Sequence, residues 1–220
     1  MFEDDGSQVM TEFKNTVQKI IDLKIYIETA IAENEKIETQ MTDYLTSENL
    51  SEIYFKDIYL RSKHCIIPFF EQIHTHYNLT RLTLSNCGIG DYHCIELLEI
   101  LIQHKLHINH LDLSQNDLSH QIMPRLNNYL VDFQSSVALT SLILDNNDIC
   151  NEGIRELANG LFERFNVMEV YAKTVNLDDH AILANIHMPL DNLSLSNTAF
   201  TDFGFKYFLQ RLEGIHLRKV

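Results

Sequence analysis

Leu139-Thr140-Ser141-Leu142-Ile143-Leu144-Asp145-Asn146-Asn147-Asp148-Ile149 is the stretch on which the fold turns. Counted from Leu139, apolar residues fall at positions 1, 4, 6 and 11, and Asn147 stands at position 9. The template recurs at Leu79 (Leu82, Leu84, Cys87, Ile89) and Ile108 (Leu111, Leu113, Asn116, Leu118). A degenerate copy begins at Val167 (Val170, Ala172, Val175, Leu177), and another copy at Leu190 (Leu193, Leu195, Thr198, Phe200). Leu50, Ile53, Phe55, Ile58 and Leu60 match upstream. From Leu50 the starts are separated by 29, 29, 31, 28 and 23 residues. Units of this length cannot bury an apolar face alone, so the period predicts a solenoid of stacked repeats.

Positions 4 and 6 alternate with polar neighbours, which is strand periodicity. The segments that follow change to helical spacing, as in Ile154, Leu157 and Leu161 or Ile122, Leu126 and Leu130. Ser119 and Asn151 stand where helix N-caps belong. Parallel strands need such crossovers, so the fold class is α/β. At position 9, Asn116 and Asn147 can bond buried backbone in the turn. Cys87 and Thr198 are weaker substitutes, and Ile58 and Val175 offer no polar atom.

This spacing resembles the leucine-rich repeat, and its length resembles the ribonuclease-inhibitor-like subclass. The closest matches are Asn147-Asp148-Ile149-Cys150-Asn151-Glu152-Gly153 and Thr198-Ala199-Phe200-Thr201-Asp202-Phe203-Gly204. The resemblance covers residues 50–220 and implies a right-handed horseshoe, with parallel strands on the concave face and helices on the convex face. It also implies a non-enzymatic role. Such proteins often wrap a protein partner, sometimes covering an enzyme's active site, and some regulate small GTPases as activating proteins. Small size, irregular repeats and an Asn/Ile/His-rich composition further resemble effectors that intracellular bacteria deliver into host cells. That resemblance implies a cytoplasmic protein reaching its host without a classical signal peptide.

The first 49 residues read as an N-terminal cap. Phe13, Val17, Ile20 and Ile21 suit an amphipathic helix over 8–18. Ile21, Leu23, Ile25 and Ile27 then alternate with Asp22, Lys24 and Tyr26, which predicts a strand and a cryptic first repeat over 20–49. That repeat would end in a helix carrying Ile37, Met41 and Leu45. The competing reading is a helical bundle or coiled coil over 8–46. At the other end, Leu217-x-x-Val220 begins the template again, 27 residues after Leu190. An incomplete last repeat predicts further chain, or a partner, beyond Val220.

Composition narrows the function classes. Seventeen Lys and Arg against 31 Asp and Glu give a net charge of −14, which disfavours nucleic acid or an anionic membrane as ligand. A basic protein is more compatible. No apolar run approaches a membrane span, and Met1-Phe2-Glu3-Asp4-Asp5 lacks the features of a secretory signal. Four cysteines without disulfide spacing point to a reducing compartment.

Side chains alternate along a strand, so positions 3, 5 and 7 face away from the core. They nominate Tyr54, Arg81, His110, Asp112, Ile143, Asp145, Glu169, Tyr171 and Lys173 as partner-binding residues. Tyr26 with Tyr54, and Ile143 with Tyr171, would form two apolar spots on a polar sheet. Exposed aromatics are typical binding anchors, although tyrosine also simply suits strands. Asp112, Asp117, Asp145 and Asp148 would form an acidic patch for Lys or Arg, unless they serve the turns. Eleven histidines raise the alternative of a metalloenzyme, with His104, His107 and His110 three residues apart. His64-Cys65 and His93-Cys94 recur 29 residues apart, but neighbouring helices lie about 10 Å apart, too far for shared zinc ligation. Neither a catalytic constellation nor a phosphate loop is recognisable, and no metal or cofactor is expected.

Overall fold

Where the template is strong, its leucines become the inward rows of a sheet. The computed structural model describes residues 5–32, 38–132, 139–174, 190 and 192–213. Five strands, β1 (Glu52–Lys56), β2 (Arg81–Ser85), β3 (His110–Asp112), β4 (Ser141–Ile143) and β5 (Asn192–Ser194), form one parallel sheet in chain order. The register follows the template. Ile53 pairs with Leu82, Leu82 with Leu111, Leu111 with Leu142, and Leu142 with Leu193. All five are position 4, and all are buried.

Seven helices are present among the described residues: α1 (Asp5–Ala32), α2 (Thr39–Thr46), α3 (Lys63–Ile73), α4 (Gly90–Gln103), α5 (Met123–Val131), α6 (Cys150–Thr174) and α7 (Asp202–Arg211). Each link between successive strands passes through a helix, as parallel pairing requires. Ile122, Leu126 and Leu130, and then Ile154, Leu157 and Leu161, are buried as their spacing predicts. No described helix is long and apolar enough to cross a membrane.

Position 9 works as its chemistry demands. Asn147 accepts hydrogen bonds at Oδ1 from the backbone N–H of Asn116 (2.9 Å) and Leu118 (3.1 Å). Its Nδ2 donates to the carbonyls of Leu113 (3.0 Å) and Leu144 (2.9 Å). Asn116 does the same one repeat earlier, accepting from Cys87 N–H (3.0 Å) and donating to the Ser114 carbonyl (2.9 Å). Cys87 replaces the amide with a thiol that donates to the Phe55 carbonyl at 3.5 Å. Ile58 has no such group, and its turn keeps the backbone bonds to the next repeat that the other turns also make: Asp57 N–H donates to the Ser85 carbonyl, as Asn86 does to Ser114 and Gln115 to Asp145, and Leu60 N–H donates to the Cys87 carbonyl.

Two expected strands are helices. Residues 20–32 belong to α1, so the cryptic first repeat does not form there. Asp22, Tyr26 and Ala30, four residues apart, are buried, while Ile21 and Ile25 point outward. Burial at helical spacing overrides the local alternation. Asp22 accepts from the side-chain amides of Gln18 and Gln72, each at 2.8 Å. The Tyr26 hydroxyl accepts from Glu38 N–H at 2.6 Å and lies in the core, not on an exposed face. The expected helix with Met41 and Leu45 is α2, where both are buried; Ile37 lies outside the described residues.

The degenerate copy at Val167 is the second correction. Helix α6 runs through Val167, Val170 and Ala172, and β4 pairs directly with β5, Ser141 opposite Asn192. This copy has alanine at position 6 and valine at position 9, so a strand there would lack both its inward leucine and its turn-satisfying side chain. Val175, Leu177, Leu217 and Val220 lie outside the described residues. A smaller correction concerns Asn151, which lies inside α6; its Oδ1 accepts from Thr201 N–H at 2.8 Å in the next repeat. Ser119 caps the short 3-10 turn His120–Ile122 that leads into α5, accepting from Gln121 N–H at 3.1 Å.

Helix α2 covers the open side of β1. The Gln40 side-chain amide accepts from Lys56 N–H (3.0 Å) and donates to Lys56 C=O (3.1 Å), as a further strand would. An unpaired edge is thereby partly closed.

Candidate functional site

The outward face of the sheet carries three rows set by the register. Glu52, Arg81, His110, Ser141 and Asn192 form one row. Tyr54, Thr83, Asp112, Ile143 and Ser194 form the second. In the third, Lys56 pairs with Ser85, and Ser114, Asp145 and Ser196 continue the template position.

The rows are cross-linked by polar contacts. Arg81 Nε lies 3.4 Å from Glu52 Oε1, an exposed ion pair. Beside them His110 is held below the ordinary histidine range by partial burial and by Arg81, against the opposing pull of Asp112 and Glu52. Asn192 Nδ2 donates to Ser141 Oγ (3.1 Å), and Ser114 Oγ donates to Ser85 Oγ (3.0 Å). Asp145 accepts from Ser194 Oγ (2.9 Å) and Ser196 N–H (2.8 Å). Asp112 accepts from Ser114 N–H at 2.9 Å. These two carboxylates therefore brace the strand ends, as turn chemistry predicts. Asp117 and Asp148 are exposed, and with Asn146, Asn147, Asn197 and Ala199 they line an open depression of about 550 Å³.

Tyr54 is the large apolar group that this face presents, 55% exposed. A shallow groove of about 220 Å³ between α2 and β1 runs beside it, lined by Gln40, Asp43, Ser47 and Glu52 among others. Ile143 is half-buried. No family model matches the chain, and no curated protein matches it. Six nominated residues thus share the face: Tyr54, Arg81, His110, Asp112, Ile143 and Asp145. Glu169, Tyr171 and Lys173 do not join them, because they lie in α6; the neighbour of Ile143 in its row is Ser194, not Tyr171.

Among the described residues no three His, Cys, Asp or Glu side chains are grouped to hold a metal ion. His74 stacks on His104, ring centroids 4.7 Å apart, and burial followed by that neighbour lowers its pKa. Cys87 and Cys94 are buried, and burial pushes each thiol up to about 12.

Two features of the face escaped the sequence reading. One is Gln40, whose pairing with β1 has no local signature. The other is position 8, where Asp57, Asn86, Gln115, Asn146 and Asn197 all have positive φ, between 54° and 59°. Asp and Asn tolerate this left-handed conformation. The run of Asp, Asn, Gln, Asn and Asn at that position was the visible signal. Asn86 also donates to Asp57 Oδ1 (2.7 Å), and Asn197 to Asn146 Oδ1 (3.1 Å), tying adjacent turns.

Proposed function

We propose that this chain is a leucine-rich-repeat solenoid of the ribonuclease-inhibitor-like kind that binds and regulates one protein partner through the outward, concave face of its sheet. The observation that carries the reading is the register: two outward rows are built from the same template position of five successive strands. That arrangement favours recognition of an extended surface over enclosure of a small molecule. Side chains on the face already hold one another through the Glu52–Arg81, Ser85–Ser114 and Asp145–Ser194 contacts. Ordering them before association lowers the entropic cost of binding. Tyr54 supplies the anchor at the β1 end of the face, with Arg81, His110 and Ile143 following on β2, β3 and β4.

A net charge of −14 favours a basic partner surface. The role is occlusion or inhibition of the partner, without catalysis by this chain. The free thiols of Cys87, Cys94 and Cys150 suit a reducing cytoplasm, which includes the host cytoplasm if the chain is a delivered bacterial effector.

The test is affinity capture from lysate, followed by calorimetry with the captured protein. Tyr54→Ala is expected to weaken binding by about 2 kcal/mol, roughly thirtyfold. Affinity equal to wild type would move the site off the sheet.

A further inference from the structure

Helix α1 has two faces, and the core uses one. Asp22, Tyr26 and Ala30 are buried against the repeats. On the opposite side Val17, Ile20, Ile21, Ile25 and Ile31 are exposed, Ile20 by 63% and Ile31 by 67%. Isolated exposed apolar residues are ordinary, but several on one helix face mark an interaction surface. The middle of this face is a seam: Val17, Ile21, Lys24, Glu28 and Ile31 follow one another by four, three, four and three residues. Alternation of three and four is the spacing of a helix that packs along a second helix.

We infer that this seam pairs antiparallel with the same seam of a second copy of the chain. The occupant is read from the order of residue types. Ile21, Lys24, Glu28 and Ile31 are palindromic in spacing about Tyr26. An isologous interface brings residue i of one copy to residue j of the other, and j to i. Antiparallel pairing about this centre sets Ile21 against the second copy's Ile31, and Lys24 against its Glu28, twice over. Parallel pairing would set Lys24 against Lys24 and Glu28 against Glu28, so charge selects the antiparallel arrangement. Lys24 and Glu28 lie 3.6 Å apart within one helix, both well exposed, so the two pairs would merge into a four-charge cluster. Ile20 and Ile25 flank the seam and shield its edges. Over the described helix, Asp5–Ala32, the overlap about Tyr26 takes in residues 20–32, a small contact that makes the dimer weak and concentration-dependent. This seam is separate from the sheet face proposed to take the protein partner.

The test is sedimentation velocity of the whole chain from low micromolar to several hundred micromolar, with circular dichroism to confirm that each variant is folded. The wild-type chain is expected to shift from monomer to dimer across the series. Lys24→Glu and Glu28→Lys should each weaken the dimer roughly tenfold by replacing attraction with repulsion at two symmetric places. The double variant K24E/E28K should restore it, because the exchange preserves complementarity. Ile21→Ser with Ile31→Ser should abolish it. A chain that stays monomeric throughout overturns the proposal and leaves the seam for a different protein. A dimer indifferent to these substitutions, or one that the double exchange fails to restore, also overturns it.

Discussion

Replacing Asn147 with leucine tests the repeat at its most polar buried point. The side chain is about the same size, so packing changes little and the hydrogen bonds are isolated. Asn147 Oδ1 satisfies two backbone N–H groups, of Asn116 and Leu118, and its Nδ2 serves the carbonyls of Leu113 and Leu144. The two N–H groups would be stranded in the buried turn. The carbonyls suffer less, since an under-satisfied C=O is tolerated more readily than an orphaned N–H. A buried unsatisfied group costs about 1–3 kcal/mol. Allowing for partial relaxation, Asn147→Leu should lose about 3 kcal/mol. Thr198 occupies the same position one strand later but donates a single bond, to the Leu195 carbonyl at 2.8 Å. Thr198→Val should therefore lose only about 1 kcal/mol. Urea denaturation followed by circular dichroism measures both, with the slope checked for a common unfolded state. Equal losses for the two variants, or a loss below about 1 kcal/mol at Asn147, would refute the reasoning.

Three other outcomes follow from buried groups. His76 is fully buried beside Tyr44, its Nδ1 accepts from Leu50 N–H, and burial, Lys19 and His74 lower its pKa to about 4. The unfolded chain binds a proton there near pH 6.5 and the folded chain does not, so stability should fall by about 2–3 kcal/mol as pH drops from 6.5 towards 4; thermal melts across that window that show no loss count against it. At Gly160 an added Cβ would lie 2.0 Å from Asn127 Oδ1, so Gly160→Ala should cost about 1–3 kcal/mol despite better helix propensity. Adding Asn127→Ala should recover part of that loss in the same denaturation assay, which a clash elsewhere would not allow. Cys150 is half-buried while Cys87 and Cys94 are buried with raised pKa values, so an alkylating reagent at neutral pH should label Cys150 first and the other two only with unfolding, as read by mass spectrometry.

What the sequence showed of this fold depended on how many template positions a segment filled. β2, β3 and β4 have leucine or isoleucine at positions 1, 4 and 6 and a polar or thiol side chain at position 9, and they were legible outright. β1 has Ile58 at position 9 and still forms; its turn makes the same bonds to the next repeat as the other turns do, contacts that one segment read alone does not display. Residues 20–32 and 167–174 filled fewer positions and became helix. In the first, the decisive fact was burial of Asp22, Tyr26 and Ala30 four apart, a helical pattern that the hydrophobic alternation of Ile21, Leu23 and Ile25 concealed. The candidate surface inherited the same division. Six nominated residues reached the sheet face, and the three that failed sat on the misread copy. Asp112 and Asp145 were placed correctly, yet their bonds to Ser114, Ser194 and Ser196 are long-range or turn contacts that the sequence does not display.

The proposal that the sheet face binds a protein is tested most directly by site-resolved photo-crosslinking in lysate. A photoreactive residue is placed in turn at Tyr54, Arg81 or His110 on the sheet, and at Tyr92 or Phe203 on helices α4 and α7. The sheet positions should each capture the same single protein, competed away by unlabelled chain, and the helix positions should not. Capture from Tyr92 or Phe203 alone, or different proteins from neighbouring sheet positions, would contradict binding through the sheet face.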